Sequence, residues 1–409
     1  MKSMKGMNIL GSAIVLALAF GGTAAAAQQD PPITVDTHVD IPFAYMHEAR
    51  FDVGKQTPLQ VDLDKMKRGG LDSAFFIVYV EQGPLTPEGY AKAMQEAKQK
   101  YDAIDLMVHT YPDRIRLATS PAQVRANKAA GRLSAMIGVE NGYSLGHDIK
   151  NLDEAYKRGA RYVGLAHMGN NDLCTSSTPE ASLGDAPLPE YGLTDFGRSV
   201  VKRDNELGIM VDVSHSSDQC VRDVLALSTA PVIASHSSAR ALDIHPRNLS
   251  DELLRAIAAK GGVIQVVAVQ DFIRLDPARQ LAQKALQAQV AKQAGDKEFD
   301  SEKHDYLPAY IEGMKRIDAA LPPPNVDDYV AHIKHIVEVA GIDHVGIASD
   351  FDGGGGIAGW SDATQTRNVT AALRRAGFSN QDIAKIWGGN LLRVWGEVEQ
   401  HATANHAKH

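Results

Sequence analysis

The chain has 409 residues, 44% hydrophobic and 22% charged, with a formal net charge of −8. That composition supports a large buried core and excludes an intrinsically disordered chain, and the acidic balance leaves no basic footprint for nucleic acid. The length suits one (β/α)8 barrel with added loops, and also two ordinary domains.

Lys2 and Lys5 precede an apolar stretch from Ile9 to Phe20, followed by Gly21-Gly22-Thr23 and a run of alanines. This is the three-part layout of a secretory signal peptide, predicted over residues 1–27 with cleavage near Ala27. The expectation is an exported chain, periplasmic or secreted, with no stable membrane anchor after cleavage. Export permits a disulfide between the two cysteines, Cys174 and Cys220, without requiring one.

Eight short apolar or β-branched runs follow: Ile33–Asp40, Ser73–Val80, Leu133–Glu140, Arg161–Met168, Ile209–Ser216, Pro231–Ser238, Gly262–Val269 and His344–Phe351. Several are almost continuously apolar, as strands buried on both faces of a parallel sheet require. Stretches with helical spacing alternate with them: Thr86–Thr110, Leu193–Leu207, Ser217–Leu227, Ser250–Lys260, Val326–Ala340 and Gln381–Val394. This alternation predicts an α/β fold, a (β/α)8 barrel over residues 28–400. Two long segments interrupt it, Asn170–Tyr191 after the fourth run and Asp271–Asn325 after the seventh. The second is a candidate lid or wall. Residues 401–409 read as a polar, frayed tail.

The ionisable residues fall at the ends of the runs. The first ends in His38-Val39-Asp40, whose two side chains share one side of a strand. The third ends in Glu140, the fifth and sixth carry His215 and His236, and the eighth carries Asp350. In a barrel these positions converge on the C-terminal mouth, where active sites lie. Charged groups buried there need partners or a metal. Imidazole and carboxylate without thiolate suit zinc, manganese or iron, and the set exceeds what one open zinc site uses.

These residues, with Gly138-Val139-Glu140-Asn141-Gly142, Asp212-Val213-Ser214-His215, Ser235-His236-Ser237-Ser238-Ala239, Arg247-Asn248, the stretch from Asp343 through Asp350-Phe351-Asp352-Gly353, and Asn390-Leu391-Leu392-Arg393-Val394, resemble the membrane (renal) dipeptidase family, peptidase family M19. The motifs span nearly the whole mature chain in the family's order. The resemblance implies a zinc dipeptidase with two Zn2+ per chain. His38 and Asp40 would hold the first ion, His215 and His236 the second, and Glu140 would bridge them together with a water. It further implies that His167 contacts the scissile carbonyl, that Arg247 receives the substrate's terminal carboxylate, and that Asp350 is the catalytic carboxylate beside the bridging water. Dipeptides are the implied substrates and a homodimer the implied assembly.

The chain departs from the family around Gln265–Val269 and in the length of Asp271–Asn325, both parts of the substrate wall. Its cysteines do not clearly reproduce the mammalian disulfides. Two other readings compete. A deacetylase, lactonase or phosphotriesterase-type hydrolase on a related barrel usually opens with His-x-His, often bridged by a modified lysine, where this chain has His38-Val39-Asp40 and Glu140. Hydrolysis of a β-lactam ring, an activity of some relatives, stays an alternative. A non-catalytic metal-binding periplasmic barrel would have no use for His167, Arg247 and Asp350.

Overall fold

The computed structural model describes residues 1, 32–186 and 191–406, so the expected signal peptide lies outside the described residues except for Met1. Among the described residues, nine strands form one parallel sheet: β1 (Val35–Val39), β2 (Ser73–Tyr79), β3 (Ile115–Leu117), β4 (Leu133–Glu140), β5 (Ala160–Gly164), β6 (Met210–Asp212), β7 (Ile233–Ala234), β8 (Val263–Val267) and β9 (Val345–Ala348). The order is β1-β2-β4-β5-β6-β7-β8-β9, with β3 paired to β4 outside this path. The ring closes where the Asp350 amide donates to the His38 carbonyl (3.0 Å) and the Asp40 amide donates to the Phe351 carbonyl (2.9 Å). The predicted (β/α)8 barrel is therefore the fold, and residues of the predicted site make its closing seam.

The strands are near-continuous apolar runs because both faces are covered. One cluster gathers Val35, Phe75, Met136, Met210 and Val263 with Leu391, Trp395 and Val398 of the final helix, Asn390–His406. A larger one packs the other sides of the strands against the helices. Burying each large apolar side chain contributes about 1.5–3 kcal/mol. That helix continues through His406, so residues 401–406 of the expected polar tail form its last turns, with Ala402 buried and His401 Nε2 2.8 Å from the Thr229 hydroxyl, and 407–409 lie outside the described residues.

Three predicted strands end four residues earlier than expected. Regular pairing stops at Gly164, Asp212 and Ala234, before His167, His215 and His236. Polar side chains take over there. The Asp212 carboxylate accepts from the Ser214 and Ser235 amides (3.0 and 2.8 Å), and the Ser214 hydroxyl accepts from the His236 amide (3.0 Å). The three residues of β3 are too few to carry a readable alternation, and that strand was not expected.

The two insertions fall after β5 and β8. Within Asp271–Asn325 lie the helices Pro277–Ala294 and Pro308–Ala320, packed on one another. The loop after β5 is short of regular structure and is fastened by a disulfide, Cys174–Cys220, to the start of the helix Asp218–Leu227. The bond spans 46 residues, and closing a loop of that length removes roughly 4 kcal/mol of unfolded-chain entropy. Replacing both cysteines, Cys174→Ser with Cys220→Ser, should lower the unfolding free energy by about 3–4 kcal/mol in an oxidising denaturant titration. The variant and wild type should then coincide in reductant. An unchanged midpoint under oxidising conditions would contradict this.

Candidate metal centre

β1, β4 and the loops after β5, β6, β7 and β9 deliver one side chain or more each to the mouth of the barrel. The expected pair on β1 is aligned, with His38 Nε2 3.6 Å from Asp40 Oδ2. At the centre is Glu140, the last residue of β4 and 4% exposed. Its Oε2 lies 3.3 Å from His38 Nε2. Its Oε1 lies 3.0 Å from His215 Nε2, 3.3 Å from His236 Nε2 and 4.0 Å from His167 Nε2. Asp350 joins His38 and Asp40 in a further group of convergent donors. All five expected ligands, His38, Asp40, Glu140, His215 and His236, thus meet in one place with His167 and Asp350. Geometry does not set His167 apart from the ligands, since it groups with Glu140 and His215.

Two of these residues are held in the left-handed backbone region, His215 at φ 65° and Asp350 at φ 59°. Such a conformation costs a non-glycine residue about 1–3 kcal/mol and persists only where the surroundings enforce it. The His215 carbonyl accepts from the Ser177 amide (2.7 Å), and the Asp350 carbonyl accepts from the Gly355 amide (2.7 Å). Gly353 backs the acidic pair so closely that a Cβ there would lie 2.0 Å from Asp40 Oδ2 and 2.5 Å from Asp350 Oδ1.

The protonation of the cluster follows from crowding in a dry place. Burial alone raises Glu140, but the charge of His38, with the imidazoles of His167, His215 and His236 close by, outweighs it and holds the carboxyl well below its ordinary range. Burial lowers His38, yet Glu140, Asp40 and Asp350 lift it to about 10. Burial pushes Asp40 up to about 6 and Asp350 well above the carboxylate range. The two carboxyls converge with His38 in one place, so the charge of Asp40 adds to the cost of ionising Asp350. Burial keeps His215 and His236 well below the ordinary imidazole value, so both are neutral, the form that ligates metals.

A second layer fixes which nitrogens face inward. The Tyr162 hydroxyl donates its one proton to the Thr37 carbonyl (3.1 Å), so it accepts from His38 Nδ1 at 3.0 Å. His38 Nε2 is then the nitrogen turned toward Glu140 and Asp40, buried and without a hydrogen-bond partner. The Ser235 hydroxyl donates to Asp212 (2.6 Å) and accepts from His236 Nδ1 (2.7 Å), which bares His236 Nε2. Imidazole nitrogens and carboxylate oxygens converging in a buried place fit a bound metal cation, which would displace the protons they otherwise hold. The absence of thiolate argues for zinc, manganese or iron.

Arg247 lies at the rim, 3% exposed, with Nη2 donating to the His236 carbonyl (3.0 Å), Nη1 3.4 Å from the Ser237 hydroxyl, and its Nε unpartnered. The Phe272 ring sits 5.3 Å from its guanidinium carbon. Burial draws its pKa down to about 10, which leaves it protonated at neutral pH. Among the described residues it makes no ion pair, so a buried cation faces the cluster with hydrogen-bonding capacity to spare.

Four contributors were not singled out from sequence. Asp212 and Ser235 lay inside the motifs but received no role. Tyr162 has no local signal, because its use depends on Gly138 across the sheet, where a Cβ would lie 2.1 Å from the Tyr162 ring. Tyr79, at the end of β2, stacks its ring 4.6 Å from that of His167.

A parallel barrel with a buried histidine–carboxylate cluster at its C-terminal mouth defines the class of metal-dependent hydrolases. The model of the membrane dipeptidase family, peptidase family M19, matches residues 24–409, and the chain belongs to that family of metallopeptidases. It is 30% identical over 399 residues to Dipeptidase ataJ of Aspergillus terreus, covering 91% of this chain and 86% of that protein. It is 29% identical over 367 residues to Dipeptidase tcpJ of Claviceps purpurea, covering 88% and 75%. The crystal structure of the probable dipeptidase PvdM from Pseudomonas aeruginosa superimposes with a TM-score of 0.79 at 34% identity, covering 91% of this chain and 96% of that one. The protein is therefore a dipeptidase acting on small peptides.

Removing the hydroxyl that orients His38 should weaken the centre without unfolding it. For Tyr162→Phe, metal affinity measured by chelator competition should fall about 10- to 100-fold. Wild-type affinity in a folded variant would show that the hydroxyl does not orient the ligand.

Proposed function

We propose that this dipeptidase works with two zinc ions and that Glu140 touches both. The observation that carries the reading is one buried carboxylate with His38 on one oxygen and His215 and His236 on the other. His38 and Asp40 would hold one ion, and His215 and His236 the other. Three imidazoles and two carboxylates exceed the three protein ligands of a single open zinc site. When bound, such a pair lowers the pKa of a shared water to near neutrality and polarises the scissile carbonyl. The signal-like N-terminus supports an exported enzyme. Among the described residues, no helix is long and apolar enough to cross a membrane.

The chain's own residues then divide the remaining work. Arg247 pairs with the free C-terminal carboxylate of the dipeptide and sets how far the peptide enters. Its unpartnered Nε leaves capacity for that anion. His167, which burial keeps neutral with a pKa drawn down to about 4, donates a hydrogen bond to the carbonyl oxygen as negative charge develops there. Asp350 takes the proton of the attacking water and returns it to the departing nitrogen, a contribution of about 10²–10⁴-fold. Asp350 must be ionised to take that proton, and its burial beside Asp40, which raises its pKa, favours giving the proton back.

The test is substrate discrimination. A charge-assisted hydrogen bond contributes about 1.5–3 kcal/mol, so Arg247→Ala should lower kcat/KM for free dipeptides roughly 10- to 150-fold, chiefly through KM. Amidating the dipeptide's C-terminus should weaken the wild type similarly and scarcely affect the variant, with metal content unchanged in both. A wild type that cleaves free and amidated dipeptides equally well would rule out this role for Arg247.

A further inference from the structure

Among the described residues, the helical insertion after β8 supplies no donor to the histidine–carboxylate cluster, although its Phe272 packs on Arg247, and one buried arginine connects it to the loop that carries Asp350. Arg279, on the helix Pro277–Ala294, is 2% exposed. Its Nη2 donates to Asp318 (2.6 Å) and its Nη1 to the Leu321 carbonyl (2.6 Å), both at the far end of the insertion. Its Nε donates to Gln270 Oε1 at 2.8 Å. The other end of that amide, Gln270 Nε2, donates to the Gly356 carbonyl at 3.0 Å. Gly356 closes the loop that begins at Asp350, and the neighbouring Gly355 amide returns to the Asp350 carbonyl at 2.7 Å. On its opposite side the loop is fixed by Gln60, whose amide nitrogen donates to the Gly355 carbonyl at 2.9 Å.

A primary amide has a donor end and an acceptor end, and its terminal torsion is broad enough to present either. Arg279 can only donate. By occupying Oε1 it leaves Nε2 as the end that faces Gly356. With Arg279 gone, the Gln270 side chain loses the partner that anchors its acceptor end, and its bond to the Gly356 carbonyl loosens.

We propose that Arg279 is a positioning residue of the active centre. Through the orientation of the Gln270 amide it braces the loop 350–356, and the insertion 271–325 acts as a strut that holds Asp350 against the metal-binding pair on β1. The inference rests on the reading of Asp350 as the proton-transferring carboxylate, and it assigns the insertion a part in turnover.

Gln270→Glu separates this role from a merely structural one. A carboxylate keeps, and strengthens, the bond with Arg279, so the insertion stays anchored, but it offers Gly356 no donor. Holoenzyme carrying Gln270→Glu should melt at or above the wild-type temperature and keep its KM and metal content within about twofold. Its kcat should fall roughly 3- to 30-fold, as coupling through a positioning contact does. Amide hydrogen exchange should quicken at residues 353–356 and not in the helices of the insertion. Arg279→Met should give the same loss of kcat, and the double variant should lose no more than either single one. Wild-type kcat and exchange in Gln270→Glu would overturn the proposal, as would a loss in KM or metal instead of kcat. Asp350→Asn, measured alongside, distinguishes the two levels. If it loses turnover while Gln270→Glu does not, only the strut fails. If it keeps turnover, the reading of Asp350 fails and the strut's purpose with it.

Discussion

A single ionised carboxylate in a dry barrel mouth organises this molecule. Glu140 has imidazoles on both of its oxygens and almost no access to water. Isolated, a carboxylate so placed would take up a proton. The surrounding histidines reverse that, and their inward nitrogens are aimed by partners behind them, Tyr162 for His38 and Asp212 through Ser235 for His236. Glycine at 138 exists to admit the Tyr162 ring, and glycine at 353 to let the main chain pass beneath Asp40 and Asp350. The demands of one buried charge therefore reach into residues that never meet substrate.

The same demands explain why the barrel is irregular where it matters. β6 and β7 pair over only three and two residues, and the barrel's seam between β1 and β9 is made by the backbone of His38, Asp40, Asp350 and Phe351. Regular ladders would aim alternate side chains to opposite faces. Leaving the ladder early, and bending His215 and Asp350 into the left-handed region, lets their side chains turn to the common centre. The strain is absorbed by neighbouring loops, among them the segment tied by Cys174–Cys220 and the glycine loop after β9.

Much of this was legible in the sequence because it is carried by strong, local patterns. Apolar runs ending in His or Asp gave the strands, their alternation with helical spacing gave the barrel, and His38-Val39-Asp40 gave a shared face. The order of motifs gave the family. What was not legible depends on contacts between distant segments. Nothing near Tyr162 announces that it supports His38, since the partner that makes room for it is on β4. The pairing of Cys174 with Cys220 needed the packing of two loops, and the link from Arg279 to Gly356 crosses 77 residues of chain in two hydrogen bonds. Strand ends were overextended because Val213, Ser214 and Ser237 look like strand residues while side-chain acceptors have already replaced the ladder.

The central claim is that the convergent donors hold two ions which share Glu140. It is tested most directly by stripping the purified protein with a chelator and titrating zinc back, following heat of binding and dipeptide hydrolysis in the same preparation. The account predicts binding that saturates at about two zinc per chain, full activity only after the second equivalent, and loss of both equivalents in Glu140→Gln. Saturation and full activity at a single equivalent would contradict it.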